Sequence, residues 1–207
     1  MSKAEISLLD CEYFPCTAWY KSYLKPEGAI IEQYEHFVRT SYRNRCEVTG
    51  PNGKITLSVP LERGRNQRTV MKDIKVCNKE KWQQLHWKTL CASYRRAPYF
   101  EYYEEDFITL FEKNYSYLLD VNMDTIKLLN KLLKIEKPVL LTTQYEKSPG
   151  GHTLDLRNEF SPKDEVKIQL PVYLQNFEER NGFIQNLSML DMLFSCGNRA
   201  TDLLMVG

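Results

Sequence analysis

The sequence predicts an α+β fold in one compact domain spanning residues 1–207, with a mixed α/β arrangement as the alternative. Three observations carry that reading. Short apolar runs broken by turn residues fill the first third of the chain. Segments of helical period fill the middle and the C-terminal end. The composition, 43% hydrophobic and 27% charged over 207 residues, is that of a globular chain long enough to bury a core, which excludes a disordered or fibrous protein.

In chain order, residues 6–9 form an apolar run that reads as a first strand. Pro15 breaks the next segment, and residues 18–24 read as a short aromatic helix. Pro26-Glu27-Gly28 marks a turn before a strand at 29–34. Residues 46–49 and 55–59 flank Gly50-Pro51-Asn52-Gly53, whose Asn-Gly pair tolerates positive φ, so a hairpin is expected there. Pro60 ends its second strand, 62–69 is a polar, basic loop, and 70–76 reads as another strand. Asn78 is placed to cap a helix at 79–96, with Trp82, Leu85, Leu90 and Ala92 on its apolar side. Pro98 opens a second helix, 99–114, acidic in its first turns as the helix dipole favours. Asn122 is placed to cap a third at 123–134. Residues 138–142 are β-like, while 148–151 and 161–164 are loops. Helices at 187–194 and 200–205 close the chain, with Gly197 between them as a stop.

Several function classes drop out early. No apolar run approaches the roughly 18 residues of a membrane span. The N-terminal residues carry no export signal, so a cytoplasmic protein with six reduced cysteines is expected. Those cysteines (Cys11, Cys16, Cys46, Cys77, Cys91, Cys196) show no CxxC spacing, and His36, His86 and His152 are far apart, so no metal and no cofactor are expected. The phosphate loop, the GxGxxG turn, the GxSxG elbow and HExxH are all missing. The net charge of +1 says nothing about partners, but residues 36–96 hold 14 Lys and Arg against 4 Asp and Glu, enough to attract an anion if they share a surface.

Three constellations carry the chemistry. Arg43 and Arg45 flank Asn44 at the start of the hairpin. In an extended segment the two guanidiniums point to one face, where they could grip a phosphate or carboxylate together. The plainer alternative is that Asn44 shapes a turn and the arginines pair with acids of the chain itself. His86 falls between Trp82 and Leu90 on the apolar arc of its helix. It is either a hydrogen-bonded core histidine or a general acid and base at a pocket wall, with Tyr94 two turns on lining the same pocket. Asp191 lies on the apolar face of the 187–194 helix, capped by Asn186 or Ser188, and needs a partner there: Arg43, Arg45 or loop amides.

Together these segments resemble the WbqC-like family. The stretches that carry the resemblance are SYRNRCEVTGPNGKITLSVPLE (41–62), Lys72-Asp73-Ile74, WQQLHWKTLCASYRRAPYFEYYEEDF (82–107) and YLQNFEERNGFIQNLSMLDMLFSCG (173–197). They keep one order over most of the chain. Val38-Arg39-Thr40-Ser41 departs from the family's usual Lys-Gln pair, and the 11–16 stretch is atypical. The resemblance implies a bacterial transferase of surface-polysaccharide (O-antigen) or sugar-nucleotide metabolism, moving an acyl or aminoacyl group onto a sugar. It brings no established catalytic residues. On the residues themselves, Arg43 and Arg45 would hold a small anionic or sugar-linked substrate, Asn44 and Tyr94 would contact it, His86 would move a proton and Asp191 would complete the site. Nucleic acid is not an expected partner. The rival reading is a non-catalytic binding or assembly protein that docks an anionic partner on residues 36–96.

Overall fold

In a computed structural model, which describes residues 6–62 and 68–206, the first two strands lie side by side and parallel. β1 (Ile6–Asp10) and β2 (Gly28–Glu32) are joined through helix α1 (Thr17–Leu24), so the 18–24 helix is a crossover connection of the kind that parallel pairing requires. The turn at Pro26 brings the chain back to the sheet, and Lys137 closes the end of α1 by donating to the carbonyls of Tyr23, Leu24 and Pro26. At the other end of α1, Asn186 Oδ1 accepts from the Ala18 amide.

Two further strands complete this sheet from far along the chain. β5 (Leu140–Leu141) pairs with β2 and β6 (Thr153–Asp155) pairs with β1, both parallel, in the order β5-β2-β1-β6. A separate antiparallel ribbon is made by β3 (Arg45–Gly50) and β4 (Gly53–Ser58), the hairpin expected from the Gly-Pro-Asn-Gly turn. Of that turn only Gly53, at φ 103, uses the positive-φ region. Together with the helices this is an α+β fold.

The segment from Val70 to Val76 is not the continuous strand its apolar content suggests. It forms single bridges at Val70 and Val76 around a 3-10 turn, Met71–Asp73, whose amides bond back to Glu35 and Gln33. The polar loop before it lies partly outside the described residues, with Arg63 and Arg65.

Three helices come next: α2 (Trp82–Tyr94), α3 (Phe100–Glu112) and α4 (Leu118–Leu132). Their starts correct the caps read from the sequence. Asn78 does not cap α2, since its amide donates to the Tyr115 carbonyl and its oxygen accepts from the Trp82 indole. Asn122 sits inside α4, fully buried, and its amide donates to the carbonyls of Cys11 and Arg43. The buried face of α2 runs through Trp82, His86, Leu90, Ser93 and Tyr94, while Leu85 and Ala92 are exposed. A short α5 (Glu178–Asn181) precedes α6 (Met189–Cys196), which Ser188 caps by accepting from the Leu190 amide, and α7 (Ala200–Val206). Gly197, at φ 63, ends α6 with Tyr99 against it.

The core is one contiguous body reaching from Leu9 to Leu204. Its centre is an irregular segment, residues 11–16, in which Cys11, Glu12, Tyr13, Phe14 and Cys16 are all buried. A buried loop must satisfy its backbone. Here Asn122, Thr125, Tyr42 and Ser188 supply the partners, from three different parts of the chain. All six cysteines are free. No helix among the described residues is long and apolar enough to cross a membrane.

Candidate functional site

Both central strands end in a buried acid. Asp10 closes β1 and Glu32 closes β2, and the two are register partners. Glu12 and Glu35 lie within three residues of those ends, also buried. The carboxyl ends of parallel strands are where open sheets present polar groups to a ligand. Four acids there create a charge problem that the fold answers with two arginines.

Arg43 answers the first half. Ser41 Oγ accepts from its amide and sets up the 3-10 turn Tyr42–Asn44, which aims the Arg43 side chain inward instead of along an extended strand. Its Nε donates to Glu35 at 2.8 Å, and Nη2 lies 2.7 Å from Glu35, 3.0 Å from Asp10 and 2.9 Å from the Asn158 side-chain oxygen. Asn158, held at φ 64, also gives its amide to Asp10. Burial opposes the charge on Arg43, but Asp10 and Glu35 outweigh it and raise its pKa. Burial pushes Glu35 up to about 7 against the pull of Arg43, and it pushes Asp10 up as well. Glu12 is raised well above its ordinary value, by burial and then by Asp10. Neither Glu12 oxygen has a hydrogen-bond partner among the described residues; the Cys16 amide comes near, outside bonding geometry. One guanidinium cannot neutralise three buried acids, so the cluster holds protons at neutral pH.

Arg157 answers the second half. Its Nε and Nη2 form a fork on Asp155 at 2.8 and 2.6 Å, and Nη1 reaches Glu32 at 3.3 Å. Glu32 also accepts from the Tyr34 amide and the Thr142 hydroxyl at 2.7 and 2.8 Å. Beside Glu32 a cleft of about 230 Å³ opens over one face of the sheet. Leu8 and Ile30 contribute to its floor, and residues 142–149 pass over it.

The residues singled out from the sequence do not converge on this cleft. Arg43 and Arg45 are engaged apart: Arg43 is spent on Asp10, Glu35 and Asn158, while Arg45 opens β3 opposite Ser58, its buried Nε without a partner among the described residues. The shared face expected from the i, i+2 spacing is lost because the turn at 42–44 breaks the extended geometry. Asn44 closes the base of the hairpin, donating to the Val59 carbonyl. Tyr94 does not join His86; its hydroxyl donates to Asp191 at 2.7 Å and accepts from the Thr49 amide. Asp191 is buried as its helix phase requires, but its partners are Tyr94, Tyr173 and Gln175, and among the described residues no arginine and no loop backbone N–H bonds it. Of the 36–96 stretch, Arg43 is interior and most described lysines and arginines are exposed.

His86 is 2% exposed, with Nδ1 2.9 Å from the Tyr13 hydroxyl and Trp82 edge-on. Burial holds its pKa down to about 4, against the Ser58 backbone, so the ring is neutral, and its burial and bonded ring nitrogen are those expected of a core histidine, the first of the two readings. This fixes the sign of the pH effect. Above 6.5 neither state binds this proton; as pH falls from 6.5 towards 4 the unfolded chain takes a proton that the fold refuses. His86→Gln is therefore expected to cost about 1–3 kcal/mol at pH 7. That cost should shrink by up to about 3 kcal/mol towards pH 4, since the variant has no imidazole to charge on unfolding. Urea titrations of parent and variant at pH 7 and 5 measure the difference, in which the opposite slope of Glu35 cancels. An equal cost at both pH values would show that the ring is not held neutral.

The sequence reading missed Asp10, Glu12, Glu32, Glu35 and Arg157. A signal was present for two of them: each of the runs ISLLD and GAIIE ends in an acid. A model of the WbqC-like protein family matches residues 11–165. That span takes in the 11–16 stretch that looked atypical and stops short of 173–197, which had seemed part of the resemblance. No curated protein and no solved structure matches the chain.

Proposed function

The chain belongs to the WbqC-like protein family, and from that premise we propose that it is a transferase of surface-polysaccharide metabolism, moving an acyl or aminoacyl group onto a sugar-linked substrate seated in the cleft beside Glu32. One observation carries this reading: a concave site over a parallel sheet reaches the strand ends and lies against Glu32, a buried carboxylate whose orientation is fixed by three donors. A sugar hydroxyl hydrogen-bonded to Glu32 would lose its proton to that carboxylate as its oxygen attacks the acyl carbonyl. The new O–C bond forms, the bond to the donor's carrier breaks, and the proton passes to the departing group. Arg157 and Thr142 act as positioning residues for Glu32.

The test is in the cell. Deleting the gene and profiling surface glycans by mass spectrometry is expected to show loss of one acyl or aminoacyl substituent, restored by the parent gene and not by a folded Glu32→Gln variant. An unchanged glycan profile in the deletion strain would overturn the reading.

A further inference from the structure

Resting on the cleft as the substrate site, we infer that it takes a hydroxyl-rich ligand free of phosphate and carboxylate, a neutral or amino-bearing glycosyl unit, and that it excludes nucleotide sugars held by their phosphates. The ionisable groups lining the cleft are Glu32 and Glu146, both acids. Among the described residues no Lys, Arg or His lines it. Arg157 bonds a lining residue from outside the cleft; it stacks on Tyr145 and spends its guanidinium on Asp155 and Glu32. Lys147 and His152 flank the segment over the cleft without lining it. An anion entering here meets the exposed Glu146, with the buried Glu32 behind the wall, and no guanidinium among the lining residues, the reverse of the basic, amide-rich cradle that phosphates require.

The rest of the lining suits hydroxyls. Thr143 and Thr153 offer groups that both donate and accept, and Gln144 adds an amide, while the Thr142 hydroxyl is already taken by Glu32 and the Gln33 amide. Leu8 and Ile30 give an apolar floor for the C–H face of a ring. Glu146 is exposed, and among the described residues its carboxylate accepts from the Gln144 amide alone, which leaves it able to accept from a ligand hydroxyl or amine.

Four ring probes of different charge separate the possibilities: methyl glucoside, glucosamine, glucose 6-phosphate and glucuronate, titrated into the full chain by ligand-observed NMR. Methyl glucoside and glucosamine are expected to bind, and the two anions at least tenfold more weakly. Glu146→Lys, a change at an exposed position, is expected to raise the affinity for glucose 6-phosphate several-fold. Tighter binding of glucose 6-phosphate than of methyl glucoside by the parent, lost in a cleft-filling Ile30→Trp variant, overturns the inference and leaves the site reading standing. No binding by any probe, or binding that Ile30→Trp leaves intact, overturns both.

Discussion

Replacing Arg43 with methionine is expected to cost the fold about 3–5 kcal/mol at pH 8, the cost of leaving buried acids without their counter-charge. Asp10 and Glu35 are at most 6% exposed, and Arg43 is the basic group that touches both. Removing it also frees the Asn158 oxygen it holds. The loss should depend on pH in a stated direction. Burial already sets Glu35 at about 7 in the fold, above its ordinary 4.5, so its protonated form is the better folded. Stability from such a group is full below the unfolded value and is lost as pH rises through the folded one. Without Arg43 both acids shift further upward, so the variant should lose less at pH 5 than at pH 8. Arg43→Lys keeps the charge and loses the fork, and should fall between variant and parent. Adding Glu35→Leu to Arg43→Met should recover part of the loss, since one stranded acid is gone. Urea titrations of the four proteins at both pH values measure this. If Arg43→Met melts like the parent at pH 8, the acids are fully protonated there and the ion pair contributes nothing.

How much of this cluster was legible depends on distance along the chain. The strand, helix and strand at 6–32 were readable because each is an apolar run closed by a turn residue, and the hairpin because two strands flank a Gly-Pro-Asn-Gly turn. β5 and β6 were not. Strands of two and three residues carry no period, and their pairing with β2 and β1 is decided by packing more than a hundred residues away. Without them the sheet has no visible carboxyl edge, so the acids at its strand ends looked like the polar ends of local elements. Arg43 was noticed for its charge, but its partner was sought outside the chain. Nothing local says that Glu35 turns inward, because the 3-10 turn at 71–73 that pins its backbone was read as a strand. Asn122 misled for a similar reason. An Asn before an apolar run looks like a cap, but α4 begins four residues earlier, at Leu118, behind a Tyr117 that offers no capping side chain, and Asn122 is free to hold two distant carbonyls.

Asp191 shows what an accurate helix phase leaves open. The apolar face of α6 put it inside, and inside it is, with no measurable exposure. Its donors come from two places that no spacing rule connects: Tyr94 at the end of α2, at 2.7 Å, and the segment before α5, where Tyr173 gives 2.8 Å and Gln175 gives 3.0 Å. Gln175 carries the lock onward, since it exchanges hydrogen bonds with both backbone groups of Ile184. Asp191→Ala strands two hydroxyls and an amide in the core. At about 1–3 kcal/mol for each unmade bond, partly relieved by relaxation, a loss of about 4 kcal/mol is expected. Asp191→Asn keeps one accepting oxygen and turns an NH2 towards the other donors, so it should cost less than half as much at pH 7. The pH dependence separates charge from hydrogen bonding. Burial raises the Asp191 pKa although all three donors pull it down. The parent should therefore lose stability as pH rises through the folded value, a slope that the Asn variant lacks. The two proteins should accordingly approach each other in stability at high pH and separate at low pH. If Asp191→Ala unfolds at the same urea concentration as the parent, α6 and the segment at 173–184 are joined by packing alone, and the carboxylate is dispensable to the fold.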